Sequence, residues 1–243
     1  MTDIDDDDPI PASIALAWGR RPPRARGPKP GLTLERIVAA GIKVALTEGI
    51  GALSMGRVAG ELGVGTMSLY RYVAAKDELL TLMVDAALGA PPAGTPGENW
   101  RAGLTRWAVG VRAAYRRHPW SLRVPISGPP LGPNNVAWLE RALEALASTP
   151  LGEQEKLSTV LLLSGFVRND VTLNLDFAAA GGQPENPTYG ELLRRLIDAA
   201  DFPALAAAVA SGALDDDDDP DSEFEFGLAR ILDGVQALIA SSD

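Results

Sequence analysis

A run of side chains with polar, aromatic and charged groups that can bind a ligand lies between Leu53 and Leu80. In chain order it contains Thr66, Met67, Ser68, Tyr70, Arg71, Tyr72 and Lys76. Hydroxyl groups, aromatic rings and cationic groups in this combination suit the oxygens of a phosphate backbone and the edges of bases. We expect Thr66, Met67 and Tyr70 to reach base edges, with their apolar parts against thymine methyl groups. The alternative for Tyr70, and for Tyr72, is packing against the first and fourth predicted helices. Arg71 can serve either bases or phosphates, so the segment predicts a nucleic-acid contact.

Two short helices and a tight turn are predicted to position these side chains. Apolar residues recur at helical spacing over 55–62, and Gly63 lies where a helix C-cap needs a residue that tolerates positive φ. A preceding helix is predicted from residue 34 to 46, with Thr33 as its N-cap and Gly49 after its last turn. This order of elements is that of a helix-turn-helix unit.

Over residues 33–88 the chain resembles the N-terminal domain of the tetracycline-repressor (TetR) family of bacterial transcription regulators. The pair LY at 69–70 matches that family's leucine-tyrosine pair, and KDEL at 76–79 matches the opening of its next helix. Tyr72 occupies a frequent histidine position, whereas Val73 stands where phenylalanine is more usual. Because many residues match at fixed spacing, the resemblance is more specific than a single short motif.

The resemblance implies several roles that the residues alone do not establish. It implies that Tyr72 and Lys76 contact phosphates, and that the C-terminal part holds a small effector and forms a homodimer. The C-terminal match is weaker and depends on HPW at 118–120 and on a long predicted helix at 153–180. A dimer of one short reading helix per subunit predicts a palindromic double-stranded operator.

The distribution of charge agrees with a DNA contact, although the whole chain is acidic. The formal net charge is −10, yet residues 20–78 contain ten Lys/Arg and five Asp/Glu, which gives this segment a charge of +5. Salt confines electrostatic fields to about 8–10 Å, so the local charge governs contact with DNA. The acidic remainder mainly keeps the protein in solution and discourages non-specific binding to DNA.

A basic segment, residues 20–29, precedes the first predicted helix and has two possible interpretations. Its five basic side chains can enter an adjacent minor groove, or they can belong to a solvated linker. The acidic run at 5–8 is either a solvated tail or a competitor of phosphate for these arginines. The complete set of candidate DNA-binding residues is Arg20, Arg21, Arg24, Arg26, Lys29, Ser54, Gly65, Thr66, Met67, Tyr70, Arg71, Tyr72 and Lys76.

The chain is predicted to be all-α and to consist of three parts. Residues 1–30, rich in proline, glycine and charge, are expected to be a disordered extension. Residues 31–88 are the helix-turn-helix domain, and 98–243 are a helical effector-binding and dimerisation domain. Helices in the last part are predicted near 100–117, 135–148, 153–180, 189–200, 202–211 and 222–240.

The sequence offers little for catalysis or metal binding. It has no cysteine and a single histidine, His118, which precedes Pro119 at a helix end and is expected to be a cap or a packed residue. The acidic run at 215–219 lacks the glycine and the distant glutamate of a calcium loop. We therefore expect no enzyme activity, no metal and no cofactor.

The lack of cysteine and of an apolar run long enough for a membrane span favours a cytoplasmic protein.

An apolar pocket with a few polar groups is expected in the C-terminal domain. The side chains predicted to line it are Trp107, Val111 and Tyr115 on the helix near 100–117, Trp138 on the next helix, and Leu162, Phe166, Asn169 and Leu173 on the helix at 153–180. A buried amide at Asn169 would need hydrogen-bond partners. The alternative is that each of these residues is simply part of the core.

We therefore expect a homodimeric transcription regulator, a repressor that a small, largely apolar ligand releases from a palindromic operator. The alternative is a small-molecule binding protein whose N-terminal domain contacts a protein partner. The basic segment favours the first interpretation, because a protein-contact module has no need of five charges of one sign.

Overall fold

The computed structural model describes residues 10–20, 31–126, 128–180, 187–214 and 220–241, and these residues contain helices and no strand. In chain order the α-helices are α1 (Ala12–Ala17), α2 (Leu34–Glu48), α3 (Met55–Leu62), α4 (Thr66–Leu69), α5 (Lys76–Leu88), α6 (Trp100–Arg117), α7 (Pro133–Leu146), α8 (Glu153–Ala180), α9 (Tyr189–Leu196), α10 (Pro203–Ala210) and α11 (Pro220–Ser241). Short 3-10 turns occupy Ile50–Ala52 and Pro119–Arg123. The predicted all-α class is confirmed.

The helix predicted near 189–200 is shorter than expected. It ends at Leu196, because Ile197 adopts an extended backbone with ψ 143°. The Asp198 carboxylate then accepts the backbone N–H of Ala200 at 2.8 Å, which closes a local turn. Aspartate commonly diverts the backbone from a helix in this way.

The expectation that residues 1–30 form a disordered extension is wrong for residues 10–20. Helix α1 buries Ser13, Ile14 and Ala15, and Ile14 joins the core of the helix-turn-helix unit. The few apolar residues of this segment dock onto an existing core, so they need no core of their own. Residues 1–9 and 21–30, including the acidic run at 5–8, lie outside the described residues.

Helices α2 to α5 form the unit that presents α4. The Oγ1 of Thr33 accepts the N–H of Arg36 and the Oγ of Ser54 accepts the N–H of Arg57, so both residues cap the helices that follow them. Gly63 adopts the left-handed conformation with φ 66° after α3, as the sequence predicted. The fully buried residues of this core include Ile37, Val44, Val58, Leu69, Val73, Leu79 and Met83.

Helices α6, α7, α8 and α11 surround a second core. Its buried residues include Leu104, Trp107, Val111, Trp138, Leu146, Leu163, Val167, Leu228 and Leu232. The two cores are not fully separate, because Trp120, in the 3-10 turn after α6, is 6% exposed and packs in the first core.

An ionic cluster, buried at Arg112 and Asp170, fastens the start of α11 to α6 and α8. The guanidinium of Arg112 donates to Asp170 on α8 at 2.8 Å and to Asp221 on α11 at 2.5 Å. It also lies over the ring of Phe224, with its Cζ 4.0 Å from the ring centroid. Arg116 reaches Asp221 from the protein surface at 2.9 Å. The neighbouring Arg116 and Arg112 hold the pKa of Asp221 below its usual value.

The junction between the two halves contains a buried carboxylate. Asp85 on α5 is 4% exposed and accepts the backbone N–H of Asn135 at 2.8 Å and that of Asn134 at 3.3 Å. The side-chain amides of the same two asparagines also donate to it. A Cβ at Gly132 would lie 2.2 Å from the Asp85 Oδ1, so only glycine fits there. The sequence signal for this contact was one acid within the apolar run LLTLMVDAAL.

Candidate nucleic-acid interface

Helix α4 presents the predicted base-reading residues on the surface. Gly65 precedes it in an extended conformation, and Leu69 is fully buried, which fixes the helix on the core. Met67 is 75% exposed and Tyr70 is 43% exposed, although both are large apolar side chains. Thr66 is half-buried at the first position of the helix. A four-residue helix that points two large side chains outward is suited to insertion in a groove.

Tyr72 makes a contact that the sequence did not predict. Its hydroxyl donates to the carbonyl oxygen of Leu32 at 2.5 Å, just before α2 begins. A phenol has one proton, so in this conformation the hydroxyl of Tyr72 cannot also donate to a phosphate. The predicted phosphate contact of Tyr72 therefore requires the Leu32 bond to break.

Some basic residues of the helix-turn-helix unit form ion pairs with acidic side chains, and others do not. Lys43 pairs with Glu61 at 2.5 Å, and Arg57 pairs with Glu48 at 2.5 Å. The bond from Arg57 lowers the pKa of Glu48 and raises that of Arg57, and the bond from Lys43 lowers the pKa of Glu61. These pairs neutralise charge on α2 and α3.

By contrast, Arg71 and Lys76, exposed next to α4, form no ion pair within the described residues. Ser54 is also exposed, and its oxygen already accepts the N–H of Arg57, which leaves its hydroxyl proton free for a phosphate oxygen. The free cations and this hydroxyl flank the recognition helix. They form a surface on which phosphate contacts can position the helix in a groove.

Of the basic segment, only Arg20 falls within the described residues. Its guanidinium lies over the ring of Trp18, with the Cζ 5.9 Å from the ring centroid. Arg21, Arg24, Arg26 and Lys29 lie outside the described residues, so their predicted DNA contacts stay predictions.

Four of the predicted ligand-binding side chains are packed together in the core of the C-terminal domain. Trp107 and Trp138 meet edge to face with centroids 6.0 Å apart, and the Trp107 Nε1 donates to the Trp138 carbonyl at 2.8 Å. The Trp138 Nε1 donates to the carbonyl of Gly89, just after α5, at 2.8 Å. Val111 is buried and Tyr115 half-buried in the same core. The indole N–H groups are therefore already satisfied.

The prediction that Leu162, Phe166, Asn169 and Leu173 of α8 all face inward is wrong. Leu162 is 56% exposed, Leu173 is 44% exposed and Asn169 is also exposed. Only Phe166 of that stripe packs against the core, where it stacks on Phe224 with centroids 5.5 Å apart. The buried stripe consists instead of Val160, Leu163, Val167 and Val171. Apolar residues occupy almost every face of α8, so their periodicity could not select the buried one.

Two grooves border α11 in the described part of the chain. One, of about 490 Å³, lies between α8 and α11 and is lined by Leu162, Ile231, Val235 and Leu238 among others. The other, of about 460 Å³, lies between α6 and α11 beside Val109, Arg112 and Phe224. Neither groove includes Trp107 or Trp138.

His118 ends α6 as its C-cap and faces Trp120 edge to face, with ring centroids 6.2 Å apart. Burial, together with the charge of Arg117, lowers the pKa of His118.

Within the described ranges, acidic residues and His118 form no group that could hold a metal ion. No helix among those residues is long and apolar enough to cross a membrane.

The chain matches two family descriptions along its length. Residues 37–83 match "Bacterial regulatory proteins, tetR family", and residues 92–239 match "Tetracyclin repressor-like, C-terminal domain". The HTH-type transcriptional repressor DrrR1 of Streptomyces coeruleorubidus is 40% identical over 243 residues, which cover 95% of this chain and 87% of DrrR1.

Solved structures of ActR, a TetR family protein of Streptomyces coelicolor, share the fold. Apo ActR has a TM-score of 0.73 and 30% identity, and the match covers 90% of this chain and 100% of that one. ActR in complex with actinorhodin has a TM-score of 0.73 and 31% identity, over 86% of this chain and 99% of that one. The helix-turn-helix geometry and these matches lead to one conclusion. The chain belongs to the tetracycline-repressor (TetR) family of transcriptional regulators, which are DNA-binding proteins and not enzymes.

Proposed function

We propose that the protein is a homodimeric repressor that binds a palindromic operator and releases it when a small, largely apolar ligand binds the C-terminal domain. The observation that carries this proposal is the exposure of Met67 on α4 and of Tyr70 directly after it, while the fully buried Leu69 fixes the helix on the core. Repression is supported by the similarity to the repressor DrrR1. The proposal places the protein in the cytoplasm, where operator DNA is found.

A dimer through α8 and α11 is supported by the apolar surface that these helices leave uncovered. Leu161 is 74% exposed and Leu162 56% exposed on α8, and Phe226 is 62% exposed on α11. Large exposed apolar side chains on neighbouring helices are typical of a protein interface. In such a dimer the two copies of α4 must lie about 34–36 Å apart to enter successive major grooves, so the operator is expected to be palindromic.

Ligand release is supported by the similarity to ActR, which was solved in complex with actinorhodin. In this chain α7 is bound to the end of α5 through Trp138 and Gly89, so a ligand that moves α7 also moves α5. A ligand that prefers the released conformation by about 100-fold supplies about 2.7 kcal/mol of coupling. Trp107, Val111, Tyr115 and Trp138 remain our candidate ligand contacts, reached by a shift of the packed indoles.

The test of DNA binding is selection of bound fragments from a random duplex pool, followed by sedimentation of the complex. We expect an enriched inverted repeat and two subunits per duplex. A version of the chain that ends near Gly89 should be monomeric and should bind the selected duplex poorly. Enrichment of no sequence would contradict the proposed function, and a tight dimer of the shortened chain would contradict the α8–α11 interface.

Ligand response is tested with actinorhodin as the first probe. Binding should change the fluorescence of the five tryptophans and release the selected duplex. Because coupling is reciprocal, the duplex should weaken actinorhodin binding by the same factor. Equal probe affinity with and without the duplex would show that binding of this probe is not the switch. The protein-contact alternative predicts probe binding without any selected duplex.

A further inference from the structure

Helix α1 is anchored at one end to the DNA-binding unit. Ile14 is 4% exposed within the first core, and the Ser13 Oγ donates to the Oε1 of Glu78 in the first turn of α5. The other carboxylate oxygen of Glu78 accepts the backbone N–H of Ala74, in the connection between α4 and α5. A six-residue helix is not stable alone, so these contacts hold α1 in place.

The other end of α1 is anchored to the C-terminal domain. The Nε1 of Trp18, the residue that follows α1, donates to the carbonyl of Leu131 at 2.8 Å. Leu131 belongs to the loop that leads into α7, and Gly132 next to it lies against the buried carboxylate of Asp85. The same loop is therefore held by α1 on one side and by α5 on the other.

We propose that α1 is a strap between the two domains and that Trp18 is a positioning residue for DNA reading. By fixing the loop before α7 to the DNA-binding unit, the strap limits rotation of that unit on the C-terminal domain. In the proposed dimer this limit sets the separation and orientation of the two copies of α4. The inference rests on the proposed DNA-binding dimer for its consequence, but the strap itself exists within one subunit.

The first test uses operators of altered spacing. Inserting one base pair between half-sites moves them apart by about 3.4 Å. The native protein should lose at least about tenfold in affinity on such a duplex. Trp18→Phe keeps an aromatic ring but removes the N–H donor to Leu131, so the DNA-binding unit can rotate further on the C-terminal domain. The affinity lost on the duplex with the inserted base pair should then shrink to about threefold or less. Trp100→Phe makes the same chemical change elsewhere and should keep the native spacing preference.

The second test needs neither DNA nor ligand. The native chain has no cysteine, so the exposed residues Glu35 on α2 and Glu140 on α7 can be changed to cysteine and spin-labelled without background. Mixing with excess unlabelled protein leaves one labelled subunit per dimer. The distance distribution between the labels should be narrow in the otherwise native chain and clearly broader with Trp18→Phe.

The outcomes separate the strap from the proposed function. If the native protein selects no duplex but Trp18→Phe broadens the label distances, the strap stands and the proposed function fails. If Trp18→Phe and Trp100→Phe both retain the native distance distribution, the strap is overturned. A native spacing preference in Trp18→Phe would likewise overturn its role in DNA reading. Ile14→Asp, which undocks α1 from the core, should reproduce the effect of Trp18→Phe.

Discussion

The carboxylate of Asp85 on α5 accepts the backbone N–H of Asn135 in the first turn of α7, at a distance of 2.8 Å. This bond places a negative charge at the positive end of the α7 dipole, where it is stabilising. Because the carboxylate is buried, it also supplies the hydrogen bonds that the first N–H groups of α7 cannot make within the helix. One side chain of the DNA-binding half thus caps a helix of the C-terminal half.

Removing this cap should destabilise the protein. In Asp85→Ala the partly buried N–H groups of Asn134 and Asn135 lose their acceptor, and an unsatisfied buried group costs about 1–3 kcal/mol. We expect the free energy of unfolding in urea to fall by at least about 2 kcal/mol. Asp77→Ala, an exposed acid on the same helix, should change it by less than about 1 kcal/mol. Equal losses in both variants would refute the capping role.

Met67 should read thymine methyl groups. Replacing one contacted thymine by deoxyuracil removes a single methyl group, and loss of its burial costs about 0.8 kcal/mol, or about fourfold in affinity. This penalty should appear with the native protein and vanish with Met67→Ala, as a double-mutant cycle requires. Deoxyuracil outside the half-sites is the control. The same penalty in both proteins at every position would show that Met67 touches no thymine.

Phosphate contacts and base contacts should separate in mutant binding profiles. Lys76→Ala should weaken binding to all duplexes and flatten the slope of log affinity against log salt by about 0.9 per subunit. Thr66→Ala and Tyr70→Ala should instead change preference at particular base pairs. Tyr72→Phe should weaken binding to all duplexes only if the bond to Leu32 opens on DNA. Because the hydroxyl of Tyr72 is neutral, the salt slope should stay unchanged in either case. A uniform, salt-dependent loss in all four variants would contradict this division.

The basic segment should add affinity through phosphates and the minor groove. Each neutralised phosphate contributes about −0.9 to the salt slope. If two to four of Arg20, Arg21, Arg24 and Arg26 each contact a phosphate, alanine at all four positions should flatten the slope by about two to four per subunit. Deleting residues 1–10 tests the acidic run, and higher affinity at low salt would indicate competition with phosphate. Arg36→Ala, an exposed basic residue of α2, serves as the control for loss of charge. An unchanged slope in the fourfold variant would make the segment a linker.

Arg112 should matter far more for stability than its neighbour Arg116. Arg112→Ala strands the buried Asp170, and breaking a buried ion pair by removing one partner costs about 3–5 kcal/mol. Arg116→Ala removes an exposed, solvent-screened partner of Asp221 and should therefore lower the free energy of unfolding far less. Chemical denaturation of the two variants measures this difference. Similar values for both would show that the buried cluster is not the stabilising contact.

The helix-turn-helix unit was predictable because its signals are local. Thr33, Gly49 and Gly63 act through their own backbone neighbours, and the apolar spacing of α2 and α3 selects one face. The exposed positions Met67 and Tyr70 follow from Leu69, since a helix this short has only one buried side. Sequence alone was therefore sufficient to place these two side chains on the surface.

Features that depend on distant partners were missed. The buried face of α8 is decided by α6 and α11, and the sequence of α8 is apolar on nearly every face, so Leu162 and Asn169 were assigned inward. Helix α1 forms because a core assembled by other helices accepts Ile14. Nothing near Tyr72 in the sequence indicates that its hydroxyl meets Leu32, forty positions earlier.

The position of Asp85 has a practical consequence for chimeric sensors, in which the reader of one regulator is joined to the sensor of another. A crossover in the connection between α5 and α6 separates Asp85 and Gly89 from Asn134, Asn135 and Trp138, their hydrogen-bond partners. A foreign sensor would then receive a buried carboxylate without donors. Grafts that transplant α7 and the loop before it together with α5 keep both sides of the junction, and these are the exchanges that should yield folded hybrids.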